Sequence, residues 1–353
     1  MQILQILENL FDRSNSQADD TFFKKYKLTD EVITIGSHKL YRIMALRDFG
    51  YIRAGSLGGF IANETNLSHE GDCWVDSDAC VYAKAYVSGN AKVCDNAKVC
   101  DNAKVCDNAE IKDDVRIHGN AVVGDNASIF ANAQIFGNAK VNGHVKVFGN
   151  AKISSAAKVY SNAIIYGNAE IYGNAEIYGN AEIFENAKVL DDAEVCGNAK
   201  VYGNAEIWNK AKVLGCAEVF GNVEVCGNAR VFSYASICEN SKVYGNANVS
   251  GRAEICGDAK VYSNAEVYGN AKVYGNAEVY GNARVYGNAE VYGNARVYGN
   301  AKISKNIIIN GNAEIYTGIN ISDNNEISNN NQINTKEIHD RSKSFIKKHY
   351  RGL

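Results

Sequence analysis

The chain has 353 residues, a formal net charge of −3 from 37 Lys and Arg against 40 Asp and Glu, and no proline. Mixed, near-neutral charge gives no bulk attraction to nucleic acid or to a membrane surface. No apolar run approaches the roughly 18 residues of a membrane-spanning helix. Met1-Gln2-Ile3-Leu4 also lacks the basic start of a secretion signal, so the cytoplasm is the expected location.

Residues 1–53 carry no repeat. Ile3, Leu4, Ile6, Leu7, Leu10 and Phe11 fall on one face of a helix, and Ser14 to Asp20 reads as a linker. Glu31 to Asp48 predicts a β-hairpin turning at Gly36-Ser37, with Leu40, Ile43 and Ala45 in its return strand. The pattern then changes near Ala54. Leu57 lies eighteen residues before Val75 and is expected to share the phase of the repeat, with Ile61, Leu67 and His69 on the inward phase of an irregular first turn.

From Val75 to Ile333 an aliphatic residue stands at every sixth position, 43 steps without an insertion (333 − 75 = 43 × 6). A period of six is neither helical nor a simple alternation, and self-similarity over many copies marks a solenoid. In Ala265-Glu266-Val267-Tyr268-Gly269-Asn270 the Ala and Val share one face of an extended segment, while Glu and Tyr share the other. Gly-Asn makes the corner, because both residues tolerate positive φ. Signs alternate along Glu266, Lys272, Glu278, Arg284, Glu290 and Arg296. Two hexads per turn would stack like charges, whereas three stack opposites, so a triangular coil is predicted. The same stacking aligns Phe130, Phe148, Tyr166, Phe184, Tyr202 and Phe220 on one face, and Tyr244, Tyr262, Tyr280, Tyr298 and Tyr316 on another. Corner residues such as Asn264, Asn282 and Asn300 are expected to form amide ladders.

Toward the end the inward Ala gives way to Ile319, Asn325 and Asn331, and a basic segment from Lys336 to Leu353 comes after it, either a solvated tail or a helix folded over the last rung. The expected organisation is therefore an N-terminal helix and hairpin cap over 1–53, a repeat over 54–335 and a tail over 336–353. Ten cysteines suggest metal or disulfides, but Cys94, Cys100 and Cys106 occupy successive hexads and so three different faces, and no metal site is expected. Cys238 and Cys256 are eighteen apart and should stack; oxidation would let them bridge, whereas in a reducing compartment free thiols are expected.

The hexad Val-Tyr-Gly-Asn-Ala-Lys resembles the hexapeptide repeat of left-handed parallel β-helix proteins. Within residues 25–90, Lys25-Tyr26-Lys27-Leu28, Ala45-Leu46-Arg47-Asp48-Phe49, Ala54-Gly55-Ser56-Leu57-Gly58-Gly59-Phe60-Ile61, Asn66-Leu67-Ser68 and Gly71-Asp72-Cys73-Trp74-Val75 resemble the YdcK-like group of bacterial hexapeptide-repeat proteins. The fold expected is all-β: a single-stranded left-handed parallel β-helix, three hexads per coil, with a small α+β cap. The left hand is an implication of the resemblance. That group is generally labelled as acyltransferases, a label that rests on fold and does not fix function.

The resemblance implies a His base at a groove between subunits of a trimer, with acyl-CoA as substrate. Six His are available. His118 takes the outward Tyr place of its hexad, His144 replaces a corner Asn, His69 stands beside Glu70, His38 is at the hairpin turn, and His339 and His349 are in the tail. His118, His144 and His69 are the catalytic candidates. Surface substitution at 118 and 144, and packing at 69, are the plainer readings, since a base needs a pocket and an orienting partner. The near-identical hexads of 265–302 suit a rod whose length changes by whole repeats. The leading expectation is thus a non-catalytic rod, free of cofactors, meeting a protein partner or its own copies; the alternative is an acyl-CoA-dependent acyltransferase.

Overall fold

The computed structural model describes residues 24–316, 318, 320–322, 326–328 and 332–333. The helix expected at 3–11, the linker, the inward Ile319, Asn325 and Asn331, and the tail with His339 and His349 lie outside them. Each hexad forms the short strand its pattern dictates. After β1 (Tyr26–Ile35), β2 (His38–Ala45) and β3 (Leu57–Ile61), every strand from β4 (Trp74–Val75) to β47 (Gln332–Ile333) is two residues long. These pair in parallel with the strand three places on, so that Val267 stands opposite Val285 and Glu266 opposite Arg284. Eighteen residues therefore make one turn, and the protein is an all-β parallel solenoid of about 15 turns. At a strand spacing of about 4.8 Å this is a rod on the order of 70 Å long.

The chain winds three sheets, the largest of which also takes in the hairpin. Inward Ala and Val side chains fill the triangular section, with Ala265 and Val267 at 0% exposure. Backbone N–H groups cross to the next rung along the whole length, as in Glu266 N–H to Ala283 O at 2.9 Å and Tyr268 N–H to Val285 O at 2.9 Å. Corner amides form ladders: Asn264 donates to Asn282 Oδ1 at 3.1 Å, and Asn282 to Asn300 Oδ1 at 3.1 Å. Corner glycines take positive φ, and a Cβ on Gly269 would lie 2.9 Å from the backbone N of Gly287.

In the first third of the repeat, Asp often replaces that glycine. Asp95, Asp101, Asp107, Asp113 and Asp125 all have φ between 52° and 59°. The carboxylate then accepts the corner N–H of the next rung, as Asp113 does from Ala131 at 2.7 Å and Asp125 from Gly143 at 2.8 Å. That bond offsets the strain of a left-handed non-glycine residue. The charge columns run as expected through 266–296, but elsewhere like charges meet, as at Lys140 opposite Lys158 and Glu176 opposite Glu194.

The first turn departs from the sequence phase. Ile61 stacks on Val81 and Leu67 bridges to Val87, twenty residues away rather than eighteen. Two extra residues therefore lie between Leu67 and Val75. Leu57 is consequently not inward; it is 55% exposed and pairs with Met44 of the hairpin. The hairpin turns at Gly36 with β1 beginning at Tyr26, and β2 pairs antiparallel with β3. Gly58 and Gly59 allow this approach, since a Cβ on Gly58 would sit 2.5 Å from the Trp74 ring and one on Gly59 2.5 Å from Ala79 O.

Candidate functional site

Outward side chains at the second and fourth places of each hexad are what the rod offers to solvent. Their register is fixed by the backbone ladder, so rings eighteen apart must stack. Phe130, Phe148, Tyr166, Phe184, Tyr202 and Phe220 form one uninterrupted column with centroids 4.7–4.9 Å apart and planes within 6°. Tyr244, Tyr262, Tyr280, Tyr298 and Tyr316 form a second. In such a column each ring covers its neighbour's face. Edges and hydroxyls point outward, and only an end ring offers a full π-face.

His118 belongs to a column of mixed chemistry. Its ring stacks on Phe136 at 5.0 Å, and its Nδ1 lies 3.8 Å from Asp101 Oδ2. Register puts Cys100 directly on the preceding rung, because Val99 pairs with Ile117. Burial holds the Cys100 thiol above its usual range, with the Tyr82 hydroxyl partly offsetting this. A protonated thiol is a weak nucleophile. Asp101 is already engaged by the Gly119 N–H at 2.9 Å. Beside them Lys98 and Arg116 stand opposite each other, with no ion-pair partner among the described residues, at a hollow of about 300 Å³ lined also by Asp78, Asn96 and Asp114.

His144 sits at an exposed corner on another side of the coil, after the strand Lys140–Val141, and its N–H donates to Ser161 O at 2.6 Å. His69 lies in the enlarged first turn rather than on an inward phase. It stacks on Tyr26 at 4.3 Å and accepts the Lys25 N–H at Nδ1, 3.2 Å. The Nε2 proton this implies faces Glu64 at 3.7 Å, and burial depresses the imidazole's affinity for a second proton. The three candidate histidines thus occupy a sheet face, a corner and the cap, and the fold does not bring them together.

Sequence reasoning missed Lys25. It is fully buried, donating from Nζ to Cys73 O at 2.8 Å, Gly71 O at 3.2 Å and Cys73 Sγ at 3.2 Å, with Phe49 beneath it at 5.0 Å. Burial pushes the Lys25 ammonium down and the Cys73 thiol up. The carbonyls it satisfies belong to the two-residue enlargement. Arg42 makes a second tie, stacking on Phe60 at 4.3 Å and donating to Gly58 O at 2.9 Å and Ser77 O at 3.2 Å. No periodic signal marks either residue.

Of the cysteines, Cys94, Cys100 and Cys106 fall in three different sheets, and no group of three or more metal-ligating side chains occurs among the described residues. Cys238 and Cys256 are joined as a disulfide across adjacent rungs, with Cα atoms 4.8 Å apart, where free thiols were expected. The rung spacing itself falls inside the range a disulfide needs, so stacking alone places the pair.

The family model described as the YdcK β-solenoid repeat matches residues 277–293 and 289–305. Over these residues the chain is similar to the YdcK β-solenoid repeat. The matched hexads of the solenoid lie in its most regular stretch, where Tyr280, Tyr286, Tyr292 and Tyr298 hold the outward fourth place. No curated protein matches the chain. No helix among the described residues is long and apolar enough to cross a membrane.

Proposed function

We propose that the protein is a non-catalytic rod that presents stacked aromatic and charged columns to a polypeptide partner or to its own copies. The observation that carries this reading is the unbroken ring column from Phe130 to Phe220, six side chains held in register on one face. Rigid aromatic rows lose little conformational entropy on docking and suit interfaces. Neither nucleic acid nor membrane is an expected partner, given the balanced charge. The eight cysteines outside the Cys238–Cys256 bridge suit a reducing compartment such as the cytoplasm, where that bridge would open to two thiols.

A second reading is favoured by the His118–Asp101 approach of 3.8 Å beside Lys98 and Arg116: an acyl-CoA-dependent acyltransferase, assembled as a trimer, with His118 as base. Thermal shift with acetyl-CoA and CoA separates the two. The rod reading expects no saturable stabilisation. Stabilisation that saturates and disappears in His118→Ala or His144→Ala, together with a trimeric mass in solution, selects the enzyme instead.

A further inference from the structure

The ring column that ends at Phe220 resumes at Tyr274, which stacks on Tyr292 at 4.7 Å. The two rungs between carry Cys238 and Cys256, side chains far smaller than the rings above and below. A comparable gap between Tyr178 and Phe232 holds Cys196 and Leu214, and there the leucine fills one of the two rungs. Cys238 is buried, so the open place is the missing ring at Cys256, a notch about one rung high, or about 4.8 Å. Tyr274 lines it, half-buried, with the small Cys256 in place of a stacked ring on the rung before. A hollow of about 440 Å³ opens there, lined by Glu239, Glu254, Cys256, Gly257, Lys272, Tyr274, Gly275 and Glu290.

Charge selects the occupant. Three carboxylates face one ammonium, and Lys272 is already held by Glu254 at 3.4 Å. Glu290 accepts the Tyr274 hydroxyl at 3.1 Å, which keeps the ring in place, and Glu239 has no ion-pair partner among the described residues. The site therefore offers an aromatic ring bordered by anions. A planar cation answers both features: guanidinium is flat, weakly hydrated and donates as a fork to carboxylates, whereas ammonium is a strongly hydrated point charge.

We propose that the notch at Cys256 binds an arginine side chain of a partner polypeptide, stacked on Tyr274 between Glu239 and Glu290. This rests on reading the rod as an interaction surface and names the chemistry of what it meets. The test is calorimetric titration of the full chain with acetyl-Arg-Arg-amide and with acetyl-Lys-Lys-amide. The arginine peptide should bind saturably, at least tenfold tighter than the lysine peptide. Cys256→Phe supplies the missing ring and should abolish binding in a chain that remains folded, with Cys256→Ser, which lacks the same disulfide, as its control for stability. Cys256→Ser keeps the notch open without the disulfide and should still bind. Glu239→Gln with Glu290→Gln should weaken binding at least tenfold. Equal binding by Cys256→Phe, or loss in Cys256→Ser, overturns the notch. Neither result touches the rod reading, which falls only to the acyl-CoA experiment.

Discussion

A single buried ammonium fixes the start of the coil. Lys25 caps carbonyls that the enlarged first turn would otherwise leave unpaired. Lys25→Met keeps the stem and removes the donors, so a cost of about 1–3 kcal/mol is expected for each carbonyl orphaned. Trp74 packs edge-on to Phe49 at 5.3 Å, and its fluorescence in a Trp208→Phe background should report the cap melting at lower denaturant while the repeat persists. His69 adds a pH dependence. Its folded form resists protonation through burial, so below the ordinary value of 6.5 the unfolded chain takes up a proton that the folded cap refuses. Stability from this group is complete above pH 6.5 and declines as pH falls toward the depressed folded value. The cap transition of His69→Gln should show a shallower slope over that acidic window than the parent; an unchanged slope would remove His69 from the account.

At the level of the hexad, the corner decides what each rung tolerates. Asp113 holds φ 59° and accepts the Ala131 N–H at 2.7 Å. Asp113→Ala keeps the strain and deletes the acceptor, with an expected loss of about 1–2 kcal/mol; hydrogen exchange at the Ala131 amide should accelerate, and more so than in Asp113→Asn. Three-hexad register was legible in the amino acids alone, because the signs along 266–296 favour one stacking, and Glu266 does face Arg284. The ring columns and Asn ladders derive from it. Leu57 misled because its spacing matched by coincidence: the first turn has twenty residues, and a count of eighteen passes over the insertion. Lys25 was invisible for a related reason, since a lone lysine outside the repeat carries no pattern that announces burial. For the candidate site, the sequence placed His118 outward on a strand, but its nearness to Asp101 and Cys100 became legible only once adjacent rungs were in place.

Across the whole molecule, stability is a sum over neighbouring rungs. Excising residues 265–282, one complete turn, should leave a folded rod shorter by about 5 Å in small-angle scattering, with little change in melting. Excising 265–273, half a turn, drives Val positions into corners and should abolish the cooperative transition. Such indifference to whole-turn deletion also poses a hazard. Segments within 265–302 are nearly interchangeable, so a slip by eighteen residues would satisfy almost every contact there. The twenty-residue opening turn is different, because its ammonium, its glycine pair and its tryptophan fit only one stretch of chain. It acts as the zero mark of a ruler: winding that begins there can be counted off correctly, and winding that begins anywhere else has no origin.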